Sequence, residues 1–212
     1  MEKLIVDISE HEIRKNGFRP RELAKKADGI MMRLGWAGYN GELALDDDID
    51  ELIEASKAAG LHIGLYLYCY CKSPSAANLA ANRAIQFAER YKGKIDLPIA
   101  LMVSETHLPC LINQGKEGLT DTVIAFLFEV ERLGWQGMFA TYTAFAQTYL
   151  DMKRLKPREL WITDYRMDEN VMRQQLGRSD YAMWRYAPNI SRCFKDYPEI
   201  SREYHMKIYC DK

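Results

Sequence analysis

Apolar and polar positions along this chain follow two alternating periods. Short apolar runs at residues 4–8, 29–34, 61–70 and 95–103 have the length and composition of buried strands, and each is followed by a segment with apolar residues at helical spacing. The first of those segments, 21–27, is short. Between 46 and 59 the apolar residues are Ile49, Leu52, Ile53 and Ala59, with Gly60 placed to stop the helix. An alanine-rich helix is expected at 75–91. A helix at 122–133, apolar nearly all round and therefore deeply buried, has Thr120 as its expected cap. Beyond it the pattern predicts strands at 134–142, 159–162, 181–186 and 204–209, with helices at 145–150 and 169–176. Strand and helix in alternation predict a parallel α/β fold. Without an internal repeat, a low-complexity stretch or a linker, the economical reading is a single domain over residues 1–212.

Charge narrows the partners. The 29 Lys and Arg nearly cancel the 30 Asp and Glu, so nothing global favours nucleic acid or an anionic membrane. The basic run Lys153-Arg154-Leu155-Lys156-Pro157-Arg158 is read as a solvated turn. No run approaches the ~20 apolar residues of a membrane span. The chain enters its first strand directly after Met1-Glu2-Lys3, so no signal peptide is expected. The expected location is the cytoplasm, or outside the cell after phage-type lysis or another signal-independent release.

Five cysteines form no tidy disulfide framework. Cys69 and Cys71 are two apart on an expected strand and should share a face, while Cys110, Cys193 and Cys210 lack the spacing that would complete a metal site. Buried free thiols are the expectation. His11, His62, His107 and His205 lack the helical spacing of a zinc site, and Asp46-Asp47-Asp48 is better explained as an acidic helix start than as a calcium loop. No phosphate-binding glycine loop or nucleophile elbow is found.

Several motifs stand in a telling order. Asp7-Ile8-Ser9-Glu10-His11 closes the first strand, and Ile30-Met31-Met32-Arg33 with the later Asp46 follows. Then come Ala58-Ala59-Gly60-Leu61-His62-Ile63-Gly64-Leu65-Tyr66-Leu67-Tyr68, Gly134-Trp135 with Thr141-Tyr142, Leu160-Trp161-Ile162-Thr163-Asp164-Tyr165, and Met183-Trp184-Arg185-Tyr186. Together they resemble the glycoside hydrolase family 25 lysozymes, the muramidases of phages and bacteria. The most specific match is to that family's Ala-Gly-x-x-x-Gly-x-Tyr-x-Tyr.

The resemblance implies an α/β fold of a particular kind, an irregular TIM-like (β/α) barrel of about eight strands with fewer helices. Its chemistry would lie where the carboxyl ends of the strands converge. It places Asp7 in the catalytic position of the first strand, and Arg33, Tyr66, Tyr68, Ser104, Asp164, Trp184 and Tyr186 as substrate-binding residues around the mouth. The implied ligand is peptidoglycan or another glycan, with no metal or organic cofactor, since carboxyl groups alone cleave glycosidic bonds.

The same resemblance exposes a defect. Members carry an Asp-x-Glu at the end of a later strand, where this chain has Met102 and Ser104. Met102 can neither donate a proton nor stabilise a cation, and the Ser104 hydroxyl is far too weak an acid to replace a tuned glutamic acid. A slip of one residue would make Glu105 the catalytic acid. Met206-Lys207-Ile208-Tyr209 stands where the family has Asp-x-Asn, and Arg185 where a Gln is common. The expected function is therefore a lysozyme-like domain acting on or binding peptidoglycan, with activity weak or lost. The alternative is an inactive glycan-binding or protein-interaction module on the same scaffold.

Overall fold

A computed structural model of the chain describes residues 3–10, 19–104, 108–166, 168–187 and 190–193. Its strands are β1 (Lys3–Ile8), β2 (Gly29–Ala37), β3 (Leu43–Leu45), β4 (His62–Cys69), β5 (Ile99–Met102), β6 (Gly137–Tyr142), β7 (Glu159–Thr163), β8 (Met183–Ala187) and β9 (Ile190–Cys193). The helices are α1 (Pro20–Leu23), α2 (Ile49–Ala58), α3 (Pro74–Glu89), α4 (Pro109–Ile112), α5 (Gly115–Arg132), α6 (Thr143–Tyr149) and α7 (Glu169–Leu176).

All nine strands join one sheet in the order β1-β9-β8-β7-β6-β5-β4-β2-β3, and β1 also pairs with β2. Eight strands thus close into a ring, with β3 attached to β2 as an antiparallel flange. Neighbours around the ring are parallel except at β9, which runs antiparallel to both β1 and β8. This is the expected irregular barrel, and two of its helices, α1 and α4, are only four residues long. No helix among the described residues is long and apolar enough to cross a membrane.

The two-residue period of the strands sorts side chains between two apolar layers. On β1, Val6 and Ile8 face the outer layer under the helices, while Ile5 and Asp7 face the barrel axis. The inner layer includes Met31, Tyr66, Met102, Met138, Trp161 and Met183. Space on the axis is tight: a Cβ at Gly64 would lie 2.4 Å from Met31 Sδ and 2.9 Å from the Pro98 carbonyl oxygen. Glycine there lets Met31 cross the strand.

Helix ends follow local chemistry. Ser73 accepts the Ala76 N–H at 3.3 Å and Pro74 opens α3, while Asp168 accepts the Val171 N–H at 3.0 Å and Gly177 in the left-handed region closes α7. One expected cap is corrected. Helix α5 begins at Gly115, so Thr120 lies within it, donating to the Lys116 carbonyl at 2.6 Å and accepting the Asp151 N–H at 2.9 Å. Gly115 and Gly118 break the helical pattern in the sequence, yet burial of the following apolar residues carries the helix through them.

The expected strand at 134–142 is shorter, because Gly134 with φ +84° ends α5 and pairing starts at Gly137. The expected strand at 204–209 lies outside the described residues. Among the described residues the barrel is closed by β9, which pairs with both β8 and β1. The basic run at 153–158 is a turn whose Arg154 and Arg158 pair with Asp121 and Glu131 of α5.

Candidate functional site

The polar interior of the barrel gathers at the carboxyl ends of its strands. Asp7, Arg33 and Arg185 come from β1, β2 and β8, and each is at least nine-tenths buried. A charged group so enclosed needs a partner. Arg185 donates Nε–H to Asp7 Oδ1 at 3.0 Å, and its Nη2 contacts Asp7 Oδ2. Its guanidinium also lies 5.7 Å from the centre of the Trp161 ring. Burial pulls the Arg185 guanidinium down to about 10, still well above neutral pH, so it meets the carboxylate as a cation.

Arg33 forms the second ionic cluster. Its Nε reaches both Asp46 oxygens, at 3.0 and 2.9 Å, and its Nη2 lies 3.5 Å from Glu10. Asp46 also accepts the Glu10 N–H at 3.0 Å. Burial raises the Asp46 pKa against the opposing pull of the Arg33 hydrogen bonds. A register shift at Gly35, where φ is +141° and a Cβ would meet the Ala44 carbonyl oxygen at 1.8 Å, brings Trp36 near Arg33. The guanidinium sits 4.5 Å from the Trp36 ring and 5.9 Å from Tyr68.

Asp164, just beyond β7, forms the third cluster. Arg166 donates Nε–H to Asp164 Oδ1 at 2.8 Å, contacts Oδ2 through Nη2, and adds its backbone N–H at 3.1 Å. The Arg166 hydrogen bond holds the Asp164 carboxyl below its ordinary value, against burial, with Thr143 assisting. Uncharged groups complete this end. Tyr66 packs edge-on against Trp161 at 5.6 Å and against Tyr68 at 6.0 Å. Tyr142 and Tyr165 are edge-on at 6.2 Å and share a side-chain hydrogen bond, and burial followed by the Tyr142 neighbour pushes the Tyr165 hydroxyl up.

The expected residues separate in this geometry. Asp7, Arg33, Tyr66 and Tyr68 come together around the axis. Half-buried Ser104 follows the end of β5, while Asp164 is held by Arg166. Trp184 belongs to the outer apolar layer, with its indole N–H donated to the Asp164 carbonyl oxygen at 3.0 Å. Tyr186 packs beside it, with ring centres 5.8 Å apart. Glu105 and His11 lie outside the described residues. Met102 is only 1% exposed among the inner apolar residues.

Arg185 is the residue whose role the sequence did not disclose. Its place between Trp and Tyr was visible, but its 178-residue reach to Asp7 follows only from ring closure. Cys69, Cys71 and Cys110 are buried free thiols. Among the described residues no group of three or more potential ligands is placed to hold a metal ion.

A closed, mostly parallel α/β barrel with its polar interior at the carboxyl ends of the strands has the architecture of the barrel enzymes. The sequence matches the model of the glycosyl hydrolases family 25 over residues 6–192, and the chain belongs to that family. The fold is similar to that of the modular autolysin LytC from Streptococcus pneumoniae, with 21% identity and a TM-score of 0.72 over 91% of this chain and 47% of that one. It is also similar to the spore cortex lytic enzyme SleM from Clostridium perfringens, with 21% identity and a TM-score of 0.68 over 90% of this chain and 66% of that one. For a family 25 glycosyl hydrolase from Bacillus anthracis the identity is 13% and the TM-score 0.68, over 92% of this chain and 90% of that one. This chain spans about half the length of the pneumococcal autolysin. No curated protein matches it.

Proposed function

We propose that this chain is a single lysozyme-like domain that binds the glycan of peptidoglycan and does not hydrolyse it. The observation that carries this reading is the buried pair of Asp7 and Arg185. Glycosidic cleavage needs one carboxyl to protonate the leaving oxygen and a second group to stabilise the developing cation. Here Asp7, the interior carboxylate on β1, already has its charge satisfied by a guanidinium. Met102 and Ser104 stand where the second carboxyl pair would be, and Met102 is packed into the core. Peptidoglycan as the ligand is supported by family membership and by two similar structures, the pneumococcal autolysin with a synthetic peptidoglycan ligand and the Cpl-1 endolysin with a peptidoglycan analogue.

The test compares the native chain with Asp7→Asn and Glu105→Gln for reducing-end release from purified peptidoglycan, together with co-sedimentation on intact sacculi. The expected result is saturable binding and no release above that of the variants. Release that disappears in Glu105→Gln would show a working acid at that position and overturn the reading.

A further inference from the structure

We propose, resting on the binding function above, that the mouth of the barrel selects an uncharged saccharide and rejects a sugar bearing a free carboxylate. Among the described residues, three ionic clusters at the mouth are each matched internally: Arg185 to Asp7, Arg33 to Asp46 and Glu10, and Arg166 to Asp164. In these clusters the carboxylates outnumber the guanidinium groups by one. An incoming anion would therefore meet a slightly acidic site.

To be held by Arg33 or Arg185, a ligand carboxylate would have to displace Asp46 or Asp7. Both are nearly fully enclosed, so displacement would strand a charge without water or a partner. Stranding a buried charge costs more than one new ion pair at a wet mouth returns. An anionic sugar consequently binds worse than its neutral counterpart.

Beside those pairs, the described ends of β4 to β7 carry neutral groups. Tyr68 near the end of β4, Ser104 after β5, Tyr142 at the end of β6 and Tyr165 after β7 place hydroxyl-bearing side chains on four successive strands of the ring. Tyr165 is 44% exposed. A sugar ring stacks its C–H face on such a ring and directs hydroxyl and acetamido groups to the neighbouring oxygens. N-acetylhexosamine oligomers fit this description, as does a muramyl unit whose lactyl carboxyl is tied up as an amide.

The experiment titrates the full chain by calorimetry with a neutral N-acetylglucosamine tetramer, a muramyl disaccharide with its free lactyl carboxylate, and the same disaccharide as its amide. Each is measured at low and high salt. The tetramer and the amide should bind alike and independently of salt, with the free acid about tenfold weaker or worse. Tyr165→Ala, a change at an exposed position that leaves the barrel folded by circular dichroism, should weaken the tetramer and the amide together. Preference for the free acid, or affinity that falls as salt rises, overturns the selectivity while leaving glycan binding intact. No binding of any saccharide or of intact sacculi by folded protein overturns the binding function and the selectivity with it.

Discussion

Arg185 on β8 and Asp7 on β1 face each other across the single antiparallel strand that closes the barrel, and Arg185 reaches both oxygens of the carboxylate. Neither side chain can be removed cheaply. Arg185→Gln leaves a carboxylate buried without a countercharge, and Asp7→Asn leaves an unmatched guanidinium, each costing about 3–5 kcal/mol. The double variant Asp7→Asn/Arg185→Gln should be more stable than the sum of the two losses predicts. Urea unfolding of the four proteins measures that coupling, and strictly additive losses would mean the pair is not an energetic unit.

The neighbouring interior position bears on the proposed loss of hydrolysis. Met102 is buried among Tyr66, Ala100, Ala140 and Trp161, where full burial contributes about 1.5–3 kcal/mol. Met102→Asp forfeits that and buries a carboxyl in an apolar layer. Met102→Leu, which keeps the volume, should cost less than ~1.5 kcal/mol, whereas Met102→Asp should cost at least ~4 kcal/mol or prevent folding. Denaturant midpoints distinguish the two, and near-equal midpoints would mean that the inner layer tolerates charge.

The barrel was legible because its strands and helices repeat the periods that burial imposes. The residues on one face of β4, Tyr66 and Tyr68, could be placed together by the two-residue period alone. What sequence spacing could not show was direction around the ring. Trp184 was expected at the mouth with its neighbours, but alternation on β8 sends Met183 and Arg185 inward and Trp184 outward. Short elements escaped as well, because the three residues of β3 hold less than two strand periods and the four of α4 barely more than one helical turn. The bulge at Gly35 and the contact between Arg33 and Trp36 depend on a single backbone angle, which no apolar periodicity reports.

At the opposite end of the barrel, Asp96 ties β4 to the segment after α3. Burial works against its ionised form, but the Ile63 N–H at 2.8 Å, His62 at 2.8 Å and Lys57 at 3.0 Å together hold its pKa below the ordinary 3.8. A carboxyl depressed in the folded state contributes stability above its unfolded pKa, and that contribution is lost as pH falls through the folded value. Asp96→Asn should therefore lower stability by about 1–3 kcal/mol at neutral pH and by progressively less as the solution is acidified below about pH 4. Thermal unfolding across that range measures the difference. A gap between the two proteins that is the same at acid and neutral pH would show that the charge of Asp96 contributes nothing.

Under the proposed binding function, adding an acid should not by itself produce hydrolysis. Ser104 is half-buried at the end of β5, so a glutamic acid can be accommodated there without entering the inner apolar layer. In Ser104→Glu, however, Asp7 remains neutralised by Arg185, and among the described residues at the mouth the other carboxylates, Asp46 and Asp164, are paired as well, with Arg33 and Arg166. In Arg185→Gln, Asp7 is released, but the Ser104 hydroxyl is too weak an acid to complete the pair. Only Ser104→Glu/Arg185→Gln supplies both groups, and reducing-end release from peptidoglycan should rise above background in that protein alone. Release from Ser104→Glu by itself would mean that the Asp7–Arg185 pair does not silence the site, and the missing acid would then be the whole of the defect.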